Sequence, residues 1–137
     1  MNSFSILVAD DNPDDLSLIT TGLESAGYEV IQATNGDEAE HLALQHRPDL
    51  SILDLRMPLK DGFEVAATLS AENLPFISLT SYGEEEMVQR ATDAGSLAYL
   101  VKPLDVEQLV PAVQAALSRT EDMRHLRESM EQMDKAL

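Results

Sequence analysis

The chain has 137 residues, of which 25 are Asp or Glu and 9 are Lys or Arg, and its formal net charge is −16. Because 44% of the residues are hydrophobic, the chain can bury a core, which excludes the low-hydrophobicity class of disordered proteins. It has no cysteine, which excludes a disulfide scaffold, a thiolate zinc site and thiol catalysis. We therefore expect a folded, soluble protein with a cytoplasmic location.

The charge is distributed unevenly along the chain. Residues 1–118 carry 20 acids and 5 bases, whereas residues 119–137 carry 5 acids and 4 bases. Binding to nucleic acid phosphates needs a clustered basic surface, so we expect no nucleic acid binding by this chain itself. No apolar run approaches the roughly 18 residues of a membrane span, so we expect no membrane association.

Five short apolar runs have the length and composition of β-strands, and segments with helical spacing of apolar residues separate them. The strands are predicted at residues 4–9, 29–33, 50–53, 76–80 and 98–101. Strands that alternate with helices pair in parallel through right-handed crossovers, and strands that are apolar throughout are covered on both faces. The pattern predicts a doubly wound, five-stranded parallel α/β domain with three layers.

The C-terminal part of the chain is predicted to form one long helix from about Asp105 onward. Apolar residues along it have the alternating three- and four-residue spacing of a coiled-coil seam, at Met123, Leu126, Met130, Met133 and Leu137. The seam spans only two heptads, and methionine specifies packing weakly. We expect a weak homodimer through this helix. The alternative is a solvated helix that docks on its own domain.

Polar side chains stand where the predicted strands end. They are Asp10 and Asp11 at the first strand, Asp54 at the third, Thr80 at the fourth and Lys102 at the fifth. Ligands of open parallel sheets bind beyond the carboxyl ends of the strands, so these side chains, each expected just after its strand, should converge. Carboxylates held close together repel one another, and Mg²⁺ prefers oxygen ligands. The sequence therefore predicts a Mg²⁺ site.

Each of these residues also has an ordinary structural interpretation. The acidic pair could complement the dipole of the first helix, together with Asp14 and Asp15 in its first turn. Thr80 could be a β-branched strand end and Tyr99 an edge aromatic residue. Lys102 could be a solvated lysine, but the proline after it restricts its backbone, and we expect a cis bond there that turns the lysine into the crevice.

Residues 4–118 resemble the receiver domain of bacterial two-component response regulators. The resemblance rests on Asp10 with Asp11, the segment Asp-Leu-Arg-Met-Pro-Leu-Lys-Asp-Gly at 54–62, Thr80 with Ser81, and Tyr-Leu-Val-Lys-Pro at 99–103. It implies a flavodoxin-like (βα)5 fold. It also implies a signalling module rather than an enzyme, with chemistry limited to its own Mg²⁺-dependent phosphorylation and dephosphorylation.

The resemblance implies how the acceptor and the metal would be held. Asp54 would accept a phosphoryl group from a phosphohistidine of a sensor histidine kinase. Asp11, Asp54 and the Arg56 carbonyl would bind Mg²⁺, and Asp10 would assist through water. Phosphoryl transfer mainly requires positioning and charge neutralisation, which such a site can supply.

The other motif residues would bind the phosphoryl group and report its presence. Lys102 would pair with the phosphoryl oxygens, and the Thr80 hydroxyl and the Ser81 amide would bind them after transfer. Tyr99 would change rotamer in the same switch. The new charge would thereby alter the surface that controls an output.

The C-terminal sequence narrows the resemblance. Residues 98–104 and 109–113, with the continuing helix, are similar to ANTAR-type antitermination regulators, in which a coiled coil joins a receiver to a small RNA-binding helical domain. The expected division is a receiver at 1–119 and a helical coiled-coil extension at 120–137. The extension would lead to an RNA- or DNA-binding output domain that is absent from this chain, which we expect to be truncated.

Two alternatives to a phosphoacceptor module remain open. A phosphatase of the haloacid dehalogenase type also uses Asp, Thr, Lys and Mg²⁺ on a parallel sheet, but its nucleophile follows the first strand in an Asp-x-Asp motif. This chain has Asp10, Asp11 and Asn12 at that place. A phosphorylation-independent scaffold would keep the fold without the chemistry, although every residue of the acceptor site is present.

Overall fold

The computed structural model describes residues 3–81 and 83–136, in which five β-strands alternate with five α-helices. The elements are β1 (Ser5–Ala9), α1 (Pro13–Ser25), β2 (Glu29–Ala33), α2 (Gly36–His46), β3 (Leu50–Asp54), α3 (Gly62–Ala71), β4 (Phe76–Ser81), α4 (Glu85–Asp93), β5 (Tyr99–Lys102) and α5 (Val106–Ala136). The strands form one parallel sheet in the order β2-β1-β3-β4-β5. The predicted doubly wound, flavodoxin-like fold is confirmed.

Three strands extend further toward the carboxyl edge of the sheet than the sequence predicts. Asp54 pairs with Leu79, and Ser81 pairs with Lys102, so the parallel ladder continues through these residues. The prediction that Asp54, Thr80 and Lys102 stand just after their strands is therefore wrong, because Thr80 is the last but one residue of β4 and Asp54 and Lys102 are the last residues of β3 and β5. As the last members of strands, both residues are fixed by the sheet rather than by a loop.

Both faces of the sheet are covered, as predicted. Successive residues of a strand point to opposite faces, so Ile6 and Val8 of β1 pack with α1 and α5, whereas Leu7 and Ala9 pack with α2 and α3. Full burial of one such Ile or Leu side chain contributes about 1.5–3 kcal/mol. Helix α4 contributes least to the core, because Ala91 is the one residue of this helix that is buried.

Helix α5 continues past the domain as one rod, as predicted. It has 31 residues and is therefore about 46 Å long. Leu117 is the last buried residue among those described, and the side chains of the seam are largely exposed beyond it. The exposed fractions are 48% at Met123, 63% at Leu126, 59% at Met130 and 68% at Met133. Leu137, the last seam residue, lies outside the described residues. The described part of the chain contains no helix that is long and apolar enough to cross a membrane.

Candidate functional site

Three carboxylates meet at the carboxyl edge of the sheet. Asp10 follows β1, Asp11 comes next, and Asp54 ends β3, the neighbour of β1 in the sheet. One oxygen of each carboxylate lies within 4.8 Å of the others. Asp10 is completely buried and Asp54 is buried, whereas Asp11 is exposed to solvent. The predicted convergence of these residues is confirmed.

The Lys102 side chain enters the same cluster from β5. Its Nζ lies 2.8 Å from Asp54 Oδ2, 2.9 Å from Asp10 Oδ2 and 3.1 Å from Asp15 Oδ2. The bond from Lys102 to Pro103 is cis, as predicted. Lys102 is therefore not a solvated lysine, because its ammonium is held among three carboxylates.

Sequence reasoning missed the part that Asp15 plays, because it assigned this residue only to the dipole of the first helix. Asn12 caps α1 and accepts hydrogen bonds from the backbone N–H groups of Asp14 and Asp15, at 2.9 and 3.1 Å. In this first helical turn, the Asp15 carboxylate reaches Lys102. The available signal was an acidic residue in the first turn of a helix that follows a strand and two aspartates.

The two buried carboxylates are ordered by backbone N–H groups. Asp10 Oδ1 accepts from Asn12 N, and Asp54 Oδ1 accepts from Arg56 N, each at 2.9 Å. Asp10 Oδ2 is buried and accepts no hydrogen bond of regular geometry from the described residues, although Lys102 Nζ lies close to it. Burial raises the pKa of Asp10, despite the opposing effects of Lys102 and of the Asn12 N–H group.

The electrostatic balance of the site is negative even with the lysine present. Burial lowers the pKa of Lys102, but its hydrogen bond to Asp54 and its close ionic contact with Asp10 outweigh that effect and raise the pKa above its usual value. One ammonium thus stands among four carboxylates, those of Asp10, Asp11, Asp15 and Asp54. Such a set of oxygen donors, one of them buried without a regular hydrogen bond, fits a hard divalent cation.

Thr80 is buried at the carboxyl end of β4, and its hydroxyl is engaged by a residue that sequence reasoning did not select. Thr80 Oγ1 donates to Glu84 Oε2 at 3.2 Å. The other oxygen of the same carboxylate, Glu84 Oε1, accepts from Arg56 Nε at 2.8 Å. In the sequence, Glu84 belongs to a run of three glutamates that indicates only the start of a helix.

The remaining predicted switch residues, Ser81 and Tyr99, line the same cavity as Thr80 and Glu84. Ser81 ends β4 and pairs with Lys102, and the Tyr99 side chain at the start of β5 is 52% exposed. A cavity of about 230 Å³ separates β5 from the beginning of α4, and Thr80, Val88 and Tyr99 are among the residues that line it. Tyr99 therefore borders an open cavity that Thr80 also lines.

Two glycines let the backbone pack closely around the acceptor. A Cβ atom on Gly62 would lie 2.6 Å from the Asp54 carbonyl oxygen and from Leu55 Cα. A Cβ atom on Gly36 would overlap the Lys60 carbonyl oxygen. The start of α3 therefore packs against the backbone of the acceptor, and the start of α2 packs against the loop after β3.

The family model of the response regulator receiver domain matches residues 6–114. The chain belongs to the response regulator receiver family. This membership confirms the resemblance noted in the sequence, and it disagrees with the phosphatase alternative, in which the nucleophile follows the first strand.

Several known proteins are similar to most of this chain. It is 37% identical to the transcriptional regulatory protein PdtaR of Mycobacterium tuberculosis over 88% of this chain and 60% of that protein. It is 34% identical to sporulation initiation phosphotransferase F of Bacillus subtilis over 85% of this chain and 96% of that protein. The chemotaxis protein CheY4 of Vibrio cholerae has a similar structure, with a TM-score of 0.78, 30% identity, and coverage of 84% of this chain and 99% of that one.

The chain spans only part of some of these relatives. It covers 60% of the length of PdtaR and 50% of the DNA-binding dual master transcriptional regulator RpaA of Synechocystis, to which it is 40% identical. By contrast, it covers almost the whole of the Bacillus protein.

Proposed function

We propose that this receiver domain takes a phosphoryl group from a sensor histidine kinase onto Asp54 and then changes its surface to control an output. The observation that carries this proposal is the contact of Lys102 Nζ with both Asp54 and Asp10, at 2.8 and 2.9 Å. It places one cation beside a buried carboxylate that a strand end and a backbone N–H group hold in position. Phosphoryl transfer depends mainly on such positioning and charge neutralisation.

The transfer step uses the Asp54 carboxylate as the nucleophile. One of its oxygens attacks the phosphorus of the kinase phosphohistidine, so an O–P bond forms and the P–N bond breaks. The electron pair of the broken bond stays on the imidazole nitrogen, which takes a proton from solvent. Lys102 pairs with the phosphoryl oxygens and balances part of their charge.

The acidic cluster is the proposed Mg²⁺ site. Asp11, Asp54 and the Arg56 carbonyl would hold the ion, and Asp10 would act through water. When bound, Mg²⁺ supplies positive charge next to the transferred oxygens. The support is the approach of the three carboxylates to within 4.8 Å and the buried oxygen of Asp10.

The proposed output begins at Thr80. A phosphoryl group adds a charge of about −1.5 to −2, and the Thr80 hydroxyl and the Ser81 amide would bind its oxygens. Movement of Thr80 would leave room beside the cavity near β5, into which the half-exposed Tyr99 ring would turn. The surface formed by α4 and β5 would change as a result.

The C-terminal extension connects this change to a partner. We propose that residues 1–119 form the receiver and that residues 120–137 form a coiled-coil extension, which pairs weakly with a second copy of the chain. The proposed output is of the ANTAR type, with nucleic acid bound by a domain outside this chain and with action in the cytoplasm. Two relatives of greater length are named transcriptional regulators, which agrees with such an output.

Acetyl phosphate with and without Mg²⁺ tests the proposed chemistry. The intact mass of the protein should increase by one phosphoryl group when Mg²⁺ is present and should stay unchanged when it is chelated. Slow return to the original mass, without continued release of phosphate from excess ester, would agree with a self-limited receiver. Continuous turnover, or a protein that never takes up the group, would contradict the proposal.

A further inference from the structure

Glu84 stands at the N-cap of α4 but does not cap that helix. Its side chain makes no hydrogen bond to the N–H groups of the first turn. The carboxylate instead accepts from Thr80 Oγ1 at 3.2 Å and from Arg56 Nε at 2.8 Å. A side-chain oxygen at the N-cap normally stabilises its own helix. The Glu84 carboxylate instead contacts Thr80 and Arg56 at the edge of the acceptor site.

The Thr80 hydroxyl can donate its hydrogen atom to one acceptor at a time. A hydroxyl donates one hydrogen atom, and the other acceptor within reach of Thr80 Oγ1 among the described residues is the Ser81 carbonyl, at the longer distance of 3.5 Å. While the hydroxyl donates to Glu84, it cannot donate to a phosphoryl oxygen on Asp54. The carboxylate and the phosphoryl group are therefore competitors for one proton donor.

Arg56 contacts both Glu84 and Asp54, the proposed phosphoryl acceptor. Its backbone N–H group donates to Asp54 Oδ1, and its guanidinium holds Glu84 from the solvent side. The Glu84 side chain is only 18% exposed, whereas that of Arg56 is 70% exposed. Helix α4, which follows Glu84, has only Ala91 buried, so little packing opposes a shift of its N-terminus.

We propose that Glu84 is a positioning residue that holds the Thr80 hydroxyl in the unphosphorylated state and must be displaced before Thr80 can bind the phosphoryl group. Arg56 keeps Glu84 in this place. The inference rests on the proposed function, since it requires that Asp54 carry the phosphoryl group. Weakening the contact favours the phosphorylated conformation.

Binding of beryllofluoride, a phosphoryl analogue, in saturating Mg²⁺ measures this competition by calorimetry or fluorine NMR. Glu84→Gln keeps the size of the side chain but weakens its hold on Thr80, and we expect about fivefold tighter binding, as for the loss of one competing hydrogen bond. Glu84→Asp keeps the charge but is too short to reach Thr80, so it should also bind more tightly. Glu85→Gln, at the next position, is the matched control and should bind like the wild type.

A double-mutant cycle separates the proposed role from a general change in structure. In a Thr80→Val background, Glu84→Gln should no longer change the affinity, because the contested hydroxyl is gone. An equal gain in Glu84→Gln and Glu85→Gln, wild-type affinity in Glu84→Asp, or a gain that persists with Thr80→Val would overturn the inference. Failure of the wild type to bind beryllofluoride would instead contradict the proposed function itself.

Discussion

Lys102 Nζ lies 2.8 Å from Asp54 Oδ2, although their strands, β5 and β3, are not neighbours in the sheet. Strand β4 runs between them, so the lysine side chain must pass over the end of that strand. Its length allows this reach, and its ammonium then balances charge from both β1 and β3. The side chain thus connects three places in the fold that are far apart in sequence.

Lys102→Met should destabilise the metal-free protein by about 1–3 kcal/mol, because it leaves buried carboxylates without their charged partner. Mg²⁺ should restore more stability to this variant than to the wild type. Urea denaturation with and without Mg²⁺ measures both effects. Lys60→Met is the matched control. Lys60 Nζ pairs with Glu40 Oε2 at a distance of 2.7 Å, and this ion pair does not belong to the acidic cluster. Equal losses in the two variants would show that the site lysine has no special position.

Asp10→Asn should stabilise the metal-free protein at neutral pH. Burial raises the pKa of Asp10 above 3.8, so the folded protein binds this proton more tightly than the unfolded chain does. The wild type therefore loses stability as the pH rises from 3.8 through the raised pKa, and the asparagine variant does not. Denaturation at several pH values should show an advantage of the variant that shrinks as the pH falls. An advantage that is independent of pH would contradict this account.

Gly62→Ala should damage the acceptor site through the backbone. The new Cβ would meet the Asp54 carbonyl and Leu55 Cα at 2.6 Å, and we expect a loss of about 1–3 kcal/mol together with weaker Mg²⁺ binding. Gly22→Ala is the control, because there the nearest contact is a side-chain carbon of Val106 at 3.2 Å. Thermal unfolding and Mg²⁺ titration of both variants measure the difference. Normal Mg²⁺ affinity in a destabilised Gly62→Ala variant would contradict this prediction, because the close packing would then not affect the acceptor site.

The sequence predicted the parts of the site that follow from the topology. Asp10, Asp54 and Lys102 each stand at the end of an apolar strand, and the carboxyl ends of parallel strands share one edge. The contacts of Glu84 and Asp15 could not be predicted in this way, because they depend on the reach and direction of single side chains from helix starts. An acidic residue in a first helical turn has a sufficient local explanation in the helix dipole, which conceals any further contact.

Leu126→Glu should abolish the weak dimer that we propose for the C-terminal helix. Leu126 is 63% exposed in the single chain and lies at the centre of the described seam, where a charge would be buried on pairing. Sedimentation should show a concentration-dependent dimer for the wild type and a monomer for the variant. Gln132→Glu adds the same charge off the seam and should leave the dimer intact. A wild type that stays monomeric at high concentration would contradict the proposal.

Mapping of the phosphorylated residue tests the central claim most directly. After reaction with acetyl phosphate and Mg²⁺, mass spectrometry of the digested protein should place a single phosphoryl group on Asp54. Asp54→Asn should take up none, although its fold is retained. Full labelling of Asp54→Asn, with the group on Asp11 or elsewhere, would contradict the assignment of Asp54 as the acceptor.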